Sequence, residues 1–241
     1  MKKYKLFAMG LAMAGALSFT SCADDYLDTA PTDAVSNVTI AQNMESLYLG
    51  LNGIHRQMIS QESGYQCMGG LGGMMYIMDI EADDITWITN TWMKAAYLGW
   101  QCNTNESNGY NTVFWRLYYQ WIMNANGLLE VLENTDVAAL SGSDKALYEQ
   151  IKGEALMFRA FSHFQAVQTY ADAYKAGGGN SQPGVPYRTV ANRNEGELAR
   201  STVEETYSLI NADLAEACSL LEGKKITELN HWSAKSAYAV R

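Results

Sequence analysis

Residues 143–170 read SDKALYEQIKGEALMFRAFSHFQAVQTY, and this stretch decides the fold. Its apolar residues fall on two lines at helical spacing. Leu147, Ile151, Ala155 and Phe158 make one line; Leu156, Ala160, His163, Val167 and Tyr170 make the other. An amphipathic surface helix needs one apolar line. A helix with two is covered on two sides, so this one is expected to lie between flanking helices, as in stacked helical hairpins.

The flanks supply candidates. Phe114, Tyr118, Trp121, Ala125, Leu128 and Leu132 recur every three or four residues and predict a helix over 112–132. Val203, Tyr207, Ile210, Leu214, Ala217 and Leu221 do the same after Ser201-Thr-Val-Glu204, which reads as a capping box, and Gly223 ends that run. Met44, Leu47, Tyr48, Leu51, Ile54 and Met58 predict a helix over 41–59, and a last helix is expected near Trp232. The glycines of 69–73 are expected to interrupt the chain before a short apolar helix over 74–80. The Gly/Pro cluster from Ala176 to Pro186 reads as a loop. No useful strand-like alternation occurs. The fold class is therefore all-α: tetratricopeptide-like stacked helical hairpins with long irregular loops, although no 34-residue repeat signature is legible. The final run from Lys235 to Arg241 has no Gly, Pro or C-cap and reads as a helix cut in mid-course, so the domain over 39–241 is expected to be truncated at its C-terminus.

The N-terminus reads as an address. Lys2, Lys3 and Lys5 precede an uncharged apolar run from Leu6 to Phe19, the length of a signal-peptide h-region and too short to span a membrane as a helix. Phe19-Thr20-Ser21-Cys22 then resembles a bacterial lipoprotein cleavage site, with Phe19 where Leu is usual. Residues 1–21 are expected to be a lipoprotein signal peptide, Cys22 the lipidated residue (palmitate among its acyl chains), and 22–38 a polar tether. The other reading is an ordinary secreted chain.

Composition narrows the function classes. Hydrophobic residues are 48% and charged residues 18%, which excludes disorder for the bulk of the chain. The net charge of −9 argues against a nucleic-acid partner. Cys67, Cys102 and Cys218 have no CxxC spacing; a Cys67–Cys102 disulfide is conceivable, and three buried thiols are the plainer reading. His55, His163 and His231 show no metal-ligand spacing, and His163 falls on an apolar line, where a satisfied core histidine is expected. No metal or other cofactor is implied. GxSxG and Cys–His arrangements are absent.

Three stretches together resemble the SusD/RagB family of outer-membrane glycan-binding lipoproteins. They are Ser21-Cys22-Ala-Asp-Asp-Tyr-Leu-Asp28; Gly153-Glu-Ala-Leu-Met-Phe-Arg-Ala-Phe161 with His163-Phe164; and Gly184-Val-Pro186 followed by Arg200-Ser-Thr-Val-Glu-Glu-Thr-Tyr207 and Ala212-Asp-Leu214. The chain is similar to the helical half of that family and lacks the later, less regular region that supplies many ligand contacts. The resemblance implies a surface-exposed, lipid-anchored outer-membrane protein. It would cap a SusC-like TonB-dependent transporter and capture oligosaccharides, sometimes peptides, without catalysis. Glu154 and Arg159 are expected to pair or hydrogen-bond within the helix stack.

Sugar recognition needs exposed aromatic faces beside amides and carboxylates. Residues 82–110 offer that mixture. Trp87, Trp92 and Trp100 lie there with Tyr97, and Asn90 is a hydrogen-bonding partner, so Trp87, Asn90, Trp92 and Trp100 are the candidate glycan-binding residues. The competing reading has these rings filling gaps between helices. Trp115 and Trp121, inside the periodic helix, are expected in the core. Two other functions remain: a helical-repeat adaptor that binds only protein, and an α-helical glycosidase using Asp83 and Asp84. Adjacent loop carboxylates do not by themselves flank a glycosidic bond, and they could equally cap a helix or bind calcium.

Overall fold

The computed structural model describes residues 43–61, 69–82, 109–191 and 197–241. Six α-helices stand among them: α1 (Met44–Gln57), α2 (Gly70–Glu81), α3 (Gly109–Glu133), α4 (Gly142–Tyr170), α5 (Val203–Leu221) and α6 (Ala234–Val240). A 3-10 turn, Val137–Ala139, links α3 to α4. No strand forms among the described residues; two isolated bridges join Gln61 to Gly69 and Pro183 to Thr202. The fold is all-α, as the two-sided 143–170 stretch requires.

Helix α4 is the centre. Ile151, Ala155 and Phe158 of one line and Leu156, Ala160, His163 and Val167 of the other are all buried. α3 runs antiparallel to it: the Tyr170 hydroxyl at the end of α4 donates to the Asn111 carbonyl near the start of α3, and Arg159 reaches Asn126 further along. α5 runs antiparallel on the other flank, with Lys152 paired to Glu216 and Phe164 edge-on to Tyr207. α1 touches both halves of the first hairpin, through His55 to Glu154 on α4 and through Asn124 of α3, which donates to Gln57. Trp121, Tyr118 and Phe158 are among the largest fully buried side chains. No described helix is long and apolar enough to cross a membrane.

Caps fix the helix starts. Asn43 accepts from the Ser46 amide at α1, and Ser141 from the Asp144 amide at α4. At α5 the capping box is Thr202 with Glu205, one residue later than the expected Ser201 with Glu204. The sequence carries both boxes in overlapping register. The backbone of Ser201 is already paired with Gly184 and Val185, and Glu204 accepts from Asn180 instead.

The glycine run also behaves differently from expectation. It does not break the chain before residue 74; it begins α2 at Gly70. A Cβ on Gly70 would lie 2.0 Å from the Met58 carbonyl oxygen, and its φ is +55°. The glycine is there so that α2 can start against the end of α1, where Leu71 N–H donates to Met58 O.

Gly153 serves a similar purpose inside α4. A Cβ there would lie 2.7 Å and 2.9 Å from Cγ and Cδ2 of Leu221, at the end of α5. Gly153→Ala should destabilise the chain by about 1–3 kcal/mol through overpacking, read as a lower urea midpoint. An unchanged midpoint would mean that Leu221 moves aside without penalty.

Candidate functional site

Two regions concentrate polar and aromatic chemistry. The first is the edge where the chain enters α3. Trp115 is 36% exposed there, which corrects its expected place in the core. It lies one position off the buried Phe114–Tyr118–Trp121 line, beside Tyr119. The two rings stack at 4.5 Å, and Tyr170 meets Trp115 edge-on at 5.1 Å. Tyr119 is anchored through its hydroxyl to Pro186 O, and burial pushes that phenol upward. The loop after α4 is held against this edge by Arg200, whose guanidinium donates to the carbonyls of Gly184, Tyr170 and Pro183. Trp121, by contrast, is fully buried, as expected.

The second region is internal. Glu154 is fully buried and accepts four donors: His55 Nε2 at 2.7 Å, His231 Nδ1 at 2.9 Å, Gln150 Nε2 at 2.9 Å and the Trp232 amide at 3.2 Å. Burial alone would raise this carboxyl; the bonds from His231, His55 and Gln150 outweigh it and hold the group below the ordinary carboxylate range. His231 Nε2 faces Asn52 Oδ1 at 2.7 Å. The donor atoms of His55, Glu154 and His231 all lie within 4.8 Å of one another, a spacing that a metal ion can bridge. No spacing in the sequence joins this grouping, because its members stand on α1, α4 and the segment before α6.

Arg159, like Glu154, hydrogen-bonds within the helix stack as expected, and the two have separate partners. Five positions along α4, Arg159 faces the other flank, where Nε and Nη2 each meet an Asp213 oxygen at 2.7 Å and Nη1 meets Asn126. Burial opposes the guanidinium charge, and the Asp213 contacts more than restore it. Tyr187 also donates to Asp213, at 2.6 Å. His163 is the satisfied core histidine foreseen for it. Its Nδ1–H donates to Arg159 O, its Nε2 accepts from the Arg188 amide, and burial lowers its pKa from 6.5 to about 3.

Among the sequence-derived candidates, Trp87, Asn90, Trp92 and Trp100 lie outside the described residues, as do Asp83, Asp84, Cys22, Cys67 and Cys102. The described structure reaches their segment only at its ends, Ala82 and Gly109. Cys218 is a free buried thiol. The functional candidate that sequence reasoning misplaced is Trp115. Its offset from the buried line was visible in the spacing.

Comparison with known proteins gives the family. The SusD-like family profile, described as starch-binding and associating with the outer membrane, matches residues 25–241. No functionally curated protein matches. Among solved structures, a SusD-like carbohydrate-binding protein from Bacteroides vulgatus superposes with TM-score 0.67 at 19% identity, covering 81% of this chain and 39% of that one. SusD superfamily proteins from Bacteroides fragilis (TM-score 0.66, 22% identity, 83% of this chain, 44% of that one) and Bacteroides thetaiotaomicron (0.60, 22%, 82%, 41%) behave alike. The chain thus spans about two fifths of the length of these structures. At such identities the likeness establishes the helical fold, and the profile match over nearly the whole sequence establishes the lineage: this chain belongs to the SusD-like family.

Proposed function

We propose that this protein binds oligosaccharide at the bacterial surface, without catalysis, for import through a TonB-dependent outer-membrane transporter. The observation that carries the reading is the family match over residues 25–241. The lipoprotein-like start supports it: residues 1–21 would be removed, Cys22 lipidated, and 22–38 would tether the domain that follows. The half-exposed Trp115–Tyr119 stack supports it too, because it stands where the tryptophan-rich segment 82–110 joins α3. Trp87, Trp92 and Trp100 would then provide stacking faces for pyranose rings, with Asn90 bonding to hydroxyl groups.

The test is isothermal titration of the purified chain against starch oligosaccharides and a wider glycan panel. One ligand class should give saturable heat. Trp87→Ala, Trp92→Ala and Trp115→Ala should each weaken binding about fivefold to tenfold, the effect of losing one aromatic platform, with unchanged circular dichroism. Silence across the panel, or three variants indistinguishable from the parent, would remove the reading. Co-purification with a TonB-dependent barrel from outer membranes tests the import step separately.

A further inference from the structure

We propose that His55 Nε2, the Glu154 carboxylate and His231 Nδ1 form a three-ligand site for a divalent transition metal, zinc foremost, that clamps α1, α4 and the segment leading into α6. This inference is independent of the glycan reading. It starts from a proton count. His231 Nε2 lies 2.7 Å from the amide oxygen of Asn52, so that nitrogen carries a hydrogen and donates. Its other nitrogen, Nδ1, faces both oxygens of Glu154 at 2.9 Å and 3.0 Å. Two lone-pair bearers cannot face each other at that distance without a positive centre between them. A second proton is one such centre, and a metal ion is the other.

The surroundings are those of a metal centre. The donors are two imidazole nitrogens and one carboxylate, the set that zinc accepts, and among the described residues no thiolate joins them. They arrive from three separate elements onto one spot, with all donor atoms within 4.8 Å of one another. In a tetrahedral zinc site, bonds of about 2.0–2.1 Å place ligands about 3.3 Å apart. The carboxylate–imidazole separations of 2.7 Å and 2.9 Å therefore need to open by about half an ångström, while the two imidazole nitrogens, within 4.8 Å of one another, settle to the same spacing. Outer contacts already orient two of the three ligands. Asn52 fixes the His231 ring, and Gln150 and the Trp232 amide hold the carboxylate. An aromatic wall closes the site: Tyr48 stacks on His231 at 5.2 Å, while Phe158 and Trp232 meet His55 edge-on. On binding, the metal takes the place of the His231 Nδ1 proton, which leaves to solvent. His55, which donates from Nε2 to Glu154 in the metal-free chain, exchanges that proton for one on Nδ1 so that Nε2 can ligate.

The test uses the purified full chain, stripped with chelator and equilibrated with zinc, cobalt or magnesium. About one zinc per chain should survive gel filtration. A hundredfold excess of zinc over its Kd should raise the melting temperature by about 5 °C or more, while magnesium, which prefers oxygen, leaves it unchanged. X-ray absorption on the zinc-loaded wild type should report two imidazoles and one carboxylate. His55→Gln and His231→Gln should abolish uptake. The wild-type measurements stand even if those variants fold poorly. A wild type that stays zinc-free and melts identically with and without zinc would overturn the proposal and leave the proton as the occupant. Bound zinc without imidazole in its shell, or uptake unchanged in both variants, would overturn it equally.

Discussion

Asp213→Ala should destabilise the folded chain by about 3–5 kcal/mol, read as a fall in the urea midpoint. The reason is the partner it abandons. Arg159 and Asp213 are paired through two contacts of 2.7 Å, with 12% and 11% of their side chains exposed. Removing the carboxylate leaves a guanidinium between α3 and α5 with the Asn126 oxygen and the Tyr187 hydroxyl as its neutral partners among the described residues. The Tyr187 hydroxyl loses its acceptor at the same time. Mutating both charges tells the origin of the loss. Arg159→Met with Asp213→Leu removes the uncompensated charge along with the pair, and should recover most of the deficit, because apolar replacement of a buried pair is often neutral. A single variant that loses less than about 1 kcal/mol would mean that water reaches Arg159 freely and that the pair contributes little.

The helical scaffold was legible because its evidence is local. Phe114 through Leu132 and Val203 through Leu221 carry a period that any window of two turns reveals, and the structure buries Phe114, Tyr118, Trp121, Leu214 and Leu221 accordingly. The two lines on 143–170 went further and foretold a central helix. Errors arose where a local sign had two physical meanings. Gly70 could end a segment or permit close approach, and only the Met58 carbonyl above it decides. Ser201 and Thr202 could each cap α5, and the pairing of Ser201 with Val185 decides. Trp115 could sit inside or at the edge, and one position off the stripe placed it at the edge. The internal centre was not legible at all. His55 and Glu154 are 99 residues apart, and Glu154 and His231 are 77 apart, so no spacing rule joins them. That Glu154 and Arg159 would bond within the stack was legible, but which partner each takes was not, for the same reason. Neighbours in sequence on one helix face opposite flanks, and each found its partner on another element. The tryptophan segment 82–110 lies outside the described residues apart from its ends, so the glycan platform stands on sequence chemistry and on the aromatic edge at Trp115.

His163 makes the fold acid-sensitive in a definite window. In the folded chain its pKa is about 3, lowered first by burial and then by the Arg159 charge, against 6.5 for the free side chain. Above pH 6.5 the ring is neutral in both folded and unfolded chains and contributes nothing to the pH dependence. As pH falls below 6.5 the unfolded chain takes up a proton that the folded chain refuses, so stability is lost steadily until pH approaches 3. Linkage puts the loss at about 2 kcal/mol by pH 5 and about 3 kcal/mol by pH 4. The structure explains why the proton is refused. His163 Nε2 accepts from the Arg188 amide at 3.1 Å, and protonation would set two N–H groups against each other in a site with no exposed surface. Urea midpoints of the wild type and of His163→Gln, compared at pH 7.5 and 5.0, isolate this residue from every other titrating group. The variant should be less stable at pH 7.5, because the Arg188 and Arg159 contacts are compromised, yet it should lose about 2 kcal/mol less than the wild type on acidification. Equal losses in the two proteins would show that His163 takes up its proton in the folded state after all. That would require the turn carrying Arg188 to lift away from α4 at mildly acidic pH.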